Sequence, residues 1–235
     1  MKRNVLFGTL ALLAGSLLAA DSSPKDDITH AARKLADADN YAWKSTVENA
    51  GGGGRFGGPT EGKTEKGGVT SLVMTRGDNT IEAYLKGDQG ALKTQDGWQS
   101  LADAGNEQQG PARFLARMLR NYKTPAAQAE DLATKAKELK QDGDVYASEL
   151  TEAGAKSLLT FGGRGGGNGP EVSNAKGSVK FWVKDGVLSK YEFRVQGTVS
   201  FNGNDRDVDR TTTVQIKEVG STKVDVPDEA KKKMS

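Results

Sequence analysis

The chain has 235 residues, with 33 Lys and Arg against 31 Asp and Glu, 30 glycines, one histidine and no cysteine. Lys2 and Arg3 supply the whole basic excess, so the remainder is balanced and carries no electrostatic footprint for nucleic acid. With no cysteine and only His30, disulfides, Cys–His and Ser–His catalytic pairs, and zinc sites of the usual composition are excluded.

Residues 1–20 read as a secretory signal peptide: Met1-Lys2-Arg3-Asn4, then 16 apolar or small residues ending in Ala19 and Ala20. Cleavage after Ala20 starts the mature protein at Asp21. The run is shorter than the roughly 20 residues of a membrane span, and no other segment reaches that length. Without cysteine there is no site for a lipid anchor. The expectation is an exported protein, periplasmic or secreted, forming a single domain over residues 21–235 with no integral span.

Ser23-Pro24-Lys25-Asp26 marks a helix start, with Ser23 as N-cap and an acid three residues on. Ile28, Ala31, Ala32 and Leu35 then form one helix face, and His30 falls off it. Tyr41, Trp43, Ser45 and Val47 alternate with polar neighbours in a first strand. A glycine-rich loop, 50–68, leads to a meander of three strands at 69–76, 80–86 and 90–94, ending at Asp96-Gly97-Trp98. A helix from Pro111 carries Phe114, Leu115, Met118, Leu119 and Tyr122 on one face, with Arg113, Arg117 and Arg120 turned away. Thr124-Pro125 opens a second helix to about Gln141. A strand at 145–150 and a helix opened by Thr151-Glu152 precede a second glycine-rich loop, 162–170.

The C-terminal third reads almost wholly as strand: 178–184, Val187–Phe201, 205–218 and 222–226, joined by Asp185-Gly186 and Asn202-Gly203 turns. Pro227 then opens a basic tail helix. Over Val187–Phe201, Tyr191, Phe193 and Val195 share an apolar face, and Gly197 offers a place to bend. Fifteen residues at about 3.3 Å each make a strand near 50 Å, against the usual ~17–20 Å, and so long a strand coils with its sheet. The fold class is α+β: a curled antiparallel sheet of eight or nine strands over a few helices.

The hairpin GSVKFWVKDGVLSKYEF, the ending TTTVQIKEVGSTKVDVPDEA and the strand–helix YASELTEAGAKSLL resemble the Lol-type periplasmic lipoprotein carriers and LppX-like lipid-binding lipoproteins. The resemblance implies a half-open β-barrel wrapping over helices, with an apolar cavity between them that takes acyl chains. The lipoprotein relatives carry an anchoring cysteine that this chain lacks, and the glycine loops are unlike anything the carriers need.

Three motifs test other chemistries. Gly57-Gly58-Pro59-Thr60-Glu61-Gly62-Lys63-Thr64 matches GxxxxGK[ST], but a phosphate loop needs a helix starting at the lysine, and Gly67-Gly68 and a strand follow instead. It reads as a flexible loop that takes no nucleotide, and Gly52, Gly54 and Gly57, matching GxGxxG, fail the same test. Asp205, Asp207 and Asp209 alternate on one strand face beside a turn. They read as solvated hairpin charges neutralised by Arg206 and Arg210, or alternatively as a weak surface metal site.

The expected ligand wall is Trp43, Met74, Leu85, Phe114, Leu115, Met118, Leu119, Phe181, Tyr191, Phe193 and Val195. Met74 and Met118 supply adaptable surface for variable chains. Arg113, Arg117 and Arg120 are solvated or meet anionic headgroups or an acidic partner at the cavity mouth. No cofactor, metal or nucleotide is expected. Two readings stay open: a non-enzymatic binder of a lipid or of the acyl chain of an acylated protein, and a cell-envelope protein with a filled core. In the second, the glycine loops and the arginine face serve protein contacts. They differ in whether the apolar face is hollow or packed.

Overall fold

Among the described residues, eleven strands hydrogen-bond into one antiparallel sheet, open at both ends, in the order β6-β5-β4-β3-β2-β1-β11-β10-β9-β8-β7. The computed structural model describes residues 22–50, 58–160 and 170–234. The predicted signal peptide, residues 51–57 of the first glycine-rich segment and residues 162–169 of the second lie outside the described residues. The strands are β1 (Asn40–Asn49), β2 (Thr60–Glu65), β3 (Thr70–Arg76), β4 (Asn79–Lys86), β5 (Gln89–Thr94), β6 (Gly97–Ser100), β7 (Lys140–Asp142), β8 (Val145–Glu149), β9 (Glu171–Lys184), β10 (Val187–Phe201) and β11 (Asn204–Lys217). The helices are α1 (Pro24–Asp37), α2 (Leu101–Asn106), α3 (Pro111–Arg120), α4 (Pro125–Lys135), α5 (Glu152–Leu159) and α6 (Asp228–Lys233).

The long β9-β10-β11 ribbon is set by its turns. Asp185 and Gly186 have φ of 53° and 72°, and Asn202 and Gly203 have φ of 51° and 76°. Two consecutive positive φ values give the hairpin turn whose twist matches that of the flanking strands. The predicted bend at Gly197 is a register shift between β9 and β10, spanning Gln196 and Thr198. A β-carbon at Gly197 would stand 2.7 Å from Leu159 Cδ1, so the bare glycine lets α5 close on the sheet.

The α1 start is as expected: Ser23 and Asp26 form a reciprocal capping box, and Ile28, Ala31, Ala32 and Leu35 are buried. Helices α1 and α5 pack on β9 and β10, with α4 seated against α1 and α5. At the other end of the sheet, α2 packs on β5 and β6, and α3 on α2 and β5. Helix α6 covers the opposite face, where Ala230 and Met234 pack with Ala91, Tyr84 and Trp98 in a small second core.

Four expectations are corrected. Residues 60–65, read as loop, are β2. Residues 222–226, read as a strand, are not: their N–H groups go to side chains, Thr222 N donating to Asn40 Oδ1 (2.8 Å) and Val224 N to Glu65 Oε1 (2.8 Å). Helix α4 stops at Lys135 because Ala136 turns extended and bridges to Leu150, freeing the chain to form β7. The short α2, capped by Ser100 accepting from Asp103 N (3.0 Å), was not anticipated. The strand count is therefore higher than expected, while the α+β class and open antiparallel sheet stand.

Candidate functional site

Directly opposed residues of an antiparallel ladder share a face. One such row crosses seven strands: Phe181, Tyr191, Val214, Ser45, Thr60, Met74 and Ile81. The rows beside it carry Val179, Phe193, Thr212 and Val47 on one side, and Ile216, Trp43, Gly62, Leu72 and Ala83 on the other. This is the apolar face toward the helices. It brings Trp43, Met74, Phe181, Tyr191, Phe193 and Val195 into one continuous core with Leu85 and Leu119.

The face has two unlike halves. Under α1, α4 and α5 it is sealed: Phe181, Tyr191 and Val195 are 0% exposed, so no water-sized sphere touches them from outside or from within. The Phe181 and Tyr191 rings meet at 6.4 Å. The Tyr191 hydroxyl donates to Gln128 Oε1 of α4 at 2.6 Å. Burial holds the Tyr191 hydroxyl well above the usual phenol range, with the nearby Tyr41 adding to the effect, so it stays a donor.

The other half centres on Trp43. Its ring stacks on Tyr122 at 6.0 Å and 19°. Trp43 Nε1 and the Tyr41 hydroxyl are enclosed and have no hydrogen-bond partner among the described residues. Burial pushes the Tyr41 hydroxyl up; Thr124, Thr64 and the Ala126 backbone lie near enough to oppose that, but not in hydrogen-bonding geometry. A buried donor left without an acceptor costs about 1–3 kcal/mol, so this spot favours a polar atom that can accept from Nε1.

Helix α3 covers this half thinly. Only Ala116 and Leu119 are buried, while Leu115, Met118 and Tyr122 keep partial exposure. The predicted stripe is rotated: Phe114 is 53% exposed on the outer side, because α3 leans on α2 and β5 and turns the small Ala116 inward. The three arginines part company. Arg120 Nη2 donates to Leu101 O (2.9 Å) and the guanidinium lies over Gly105, tying α3 to α2. Arg113 Nη1 donates to Gln108 O (2.7 Å), and Arg117 is exposed.

The remaining motifs resolve into structure. Gly62-Lys63-Thr64 sits inside β2, with Lys63 opposite Ala42 and Ser71. Asp205, Asp207 and Asp209 are each engaged by β10: Asp209 accepts from Arg194 Nε (2.8 Å), Arg194 Nη2 (2.6 Å) and Gln196 (2.9 Å), Asp207 from Thr198 (2.8 Å), and Asp205 from Ser200. Arg210, expected beside them, instead stands opposite Val195 and Asn49 on the other face and donates to Leu158 O (3.0 Å). His30 is exposed. Among the described residues no three of His, Asp and Glu gather as a metal set. No helix among them is long and apolar enough to cross a membrane. A groove of about 460 Å³ lies away from the apolar face, between β5, α2 and α6, with polar groups from Asp88, Gln89, Ser100, Arg120 and Lys233.

Neither a protein-family model nor a curated protein matches the chain. Among solved structures it is similar to LprF from Mycobacterium bovis at 12% identity, covering 88% of this chain and 96% of that one, with a TM-score of 0.46. It is similar to the Mycobacterium tuberculosis lipoprotein LppX at 11% identity, covering 86% and 97%, with a TM-score of 0.44. A LolA-superfamily protein from Nitrosomonas europaea follows at 11% identity, 88% and 96% coverage, and a TM-score of 0.35. These are likenesses in the course of the chain, at identities where residues do not match one to one.

Proposed function

We propose that this is an exported, non-enzymatic binding protein for an apolar ligand, a lipid or the acyl chain of an acylated protein, taken up between α3 and the apolar sheet face. The observation that carries the reading is the uneven cover. Ile28, Ala31, Ala32 and Leu35 of α1 are 0–1% exposed, whereas α3 commits only Ala116 and Leu119. A helix seated so lightly can swing away from Trp43 and the Met74 row at small cost, and a chain inserted there would replace its contacts. Trp43 Nε1 would give a ligand ester or carboxyl oxygen one donor in an otherwise greasy site. Each buried methylene is worth about 0.8 kcal/mol, so an acyl chain of about fifteen offers on the order of 12 kcal/mol gross. Association and ordering remove much of that and still leave useful affinity.

The sealed half under α1, α4 and α5 favours a second reading, an envelope protein with a filled core. Native mass spectrometry of gently purified protein, with titration of a fluorescent fatty acid, separates the two. The carrier reading expects co-purified lipid or saturable probe binding, lost at least tenfold in a folded Met118→Asp variant. A folded wild type that carries no lipid and binds no probe leaves the filled-core reading in its place.

A further inference from the structure

We infer that the outer face of α3 is a docking surface for an anionic lipid bilayer. Residues 111–123 contain Arg113, Arg117, Arg120 and Lys123 and no acid. Lys123 is paired with Asp131 at 3.1 Å, and Arg120 keeps its charge but is held against α2 by its bond to Leu101 O. Arg113 bonds a neutral carbonyl, which leaves its charge uncompensated, and Arg117 is exposed. Glu107, next in sequence to the Gln108 carbonyl that Arg113 reaches, directs its carboxylate toward Gly110 at the N-terminus of the helix.

Phe114 supplies the second half of the pattern. At 3.6 residues per turn it lies about 200° round the axis from Ala116 and about 140° from Leu119, close to the outward pole. Arg113 and Arg117 flank it on one side and the half-exposed Met118 on the other. An aromatic residue carried outward between cations is the arrangement of a helix lying in a membrane interface, with its ring among the headgroups and its guanidinia on phosphates. An acidic protein would need carboxylates at fixed spacing and would gain little from an exposed Phe114. An anionic bilayer meets both features at once. The inference rests on the carrier reading for its purpose: the helix that covers the ligand would be the one that meets the membrane, where ligand is taken up or released.

The test is flotation of purified protein with vesicles of phosphatidylcholine alone and with about 30% phosphatidylglycerol added. Binding should appear only with the anionic vesicles and fall away in high salt. Arg113→Gln combined with Arg117→Gln should weaken it about 25-fold, taking about fivefold for each cation lost at the surface. Phe114→Ser should weaken it with the salt dependence unchanged. All three positions are exposed, and circular dichroism confirms that the variants fold. Equal binding to both vesicle types, no binding, or undiminished binding by the double variant would overturn the inference. So would capture by a polyglutamate column with no vesicle binding, which would give the face to an acidic protein. Ligand content, measured by native mass spectrometry without vesicles, reports on the carrier reading separately.

Discussion

The benzo ring of Trp43 lies where a β-carbon at position 62 would have to stand. The glycine that completes the nucleotide-loop pattern is thus a packing device: it lets the indole lie flat on β2 and reach Tyr122. Gly62→Ala should push the ring off the strand. Forcing a methyl into a packed site costs about 1–3 kcal/mol. Urea unfolding should show that loss, with a shift in tryptophan emission as the Trp43–Tyr122 stack opens.

Lys63 belongs to the same reading. Strand geometry aims it to the opposite face from Trp43, opposite Ala42 and Ser71, with a strand on either side of it in place of a helix N-terminus among the described residues. Isothermal titration with ATP should give no heat for wild type or for Lys63→Ala. The substitution should leave stability within about 0.5 kcal/mol, as for an exposed position. Micromolar binding abolished by the alanine variant would reverse this.

Asp209 gives a prediction in pH. Arg194, hydrogen-bonded to both its oxygens, holds its carboxyl at about 2, and Gln196 adds to the effect. The folded value lies below the ordinary aspartate value of 3.8, so the pair contributes fully above that pH and the contribution is lost as pH falls through about 2. The pair is partly solvated, so water screens its contribution. Carboxyl carbon NMR should find Asp209 titrating at about 2, and Arg194→Gln should return it toward 3.8.

What could be read from the sequence follows from how local each signal is. The bounds of β10 match the period-two run Val187–Phe201 because the alternation is unbroken and both ends carry a turn pair, Asp185-Gly186 and Asn202-Gly203. Strand β2, Thr-Glu-Gly-Lys-Thr-Glu, has no apolar side chain to announce it; its place is decided by Trp43 on the neighbouring strand. Residues 222–226 alternate as a strand should, yet Asn40 and Glu65, far back in the chain, take the N–H groups that pairing would use. The rotation of α3 was hidden for the same reason. It is fixed by α2 through Arg120 and Leu101, and α2 itself is too short to show a periodicity. Of the expected wall, the sheet residues share one face as the alternation requires, while Phe114 stands outside it and Tyr122 belongs with it. Tyr122 was visible on the helix stripe, but nothing in the sequence paired it with Trp43.

Phe193→Asp and Met118→Asp should therefore fail in different ways. Phe193 is 5% exposed, opposite Val179 and Thr212 in the sealed half. A carboxylate there is desolvated and leaves the volume of a lost ring, together worth about 4 kcal/mol or more, and Arg210 on the next row of the same face is already turned to Leu158 O. Against a typical total of about 5–15 kcal/mol, that brings the protein close to unfolding. Circular dichroism should show a collapsed or sharply lowered melting transition, and any loss of probe binding would follow from loss of fold. Met118 keeps partial exposure at the thin cover, so an aspartate there can reach water and the fold should persist. Its effect should fall on binding and not on the fold. A folded Met118→Asp protein that binds the fatty-acid probe as tightly as wild type would place the ligand somewhere other than under α3. A well-folded Phe193→Asp protein would mean that the half under α1, α4 and α5 opens in solution.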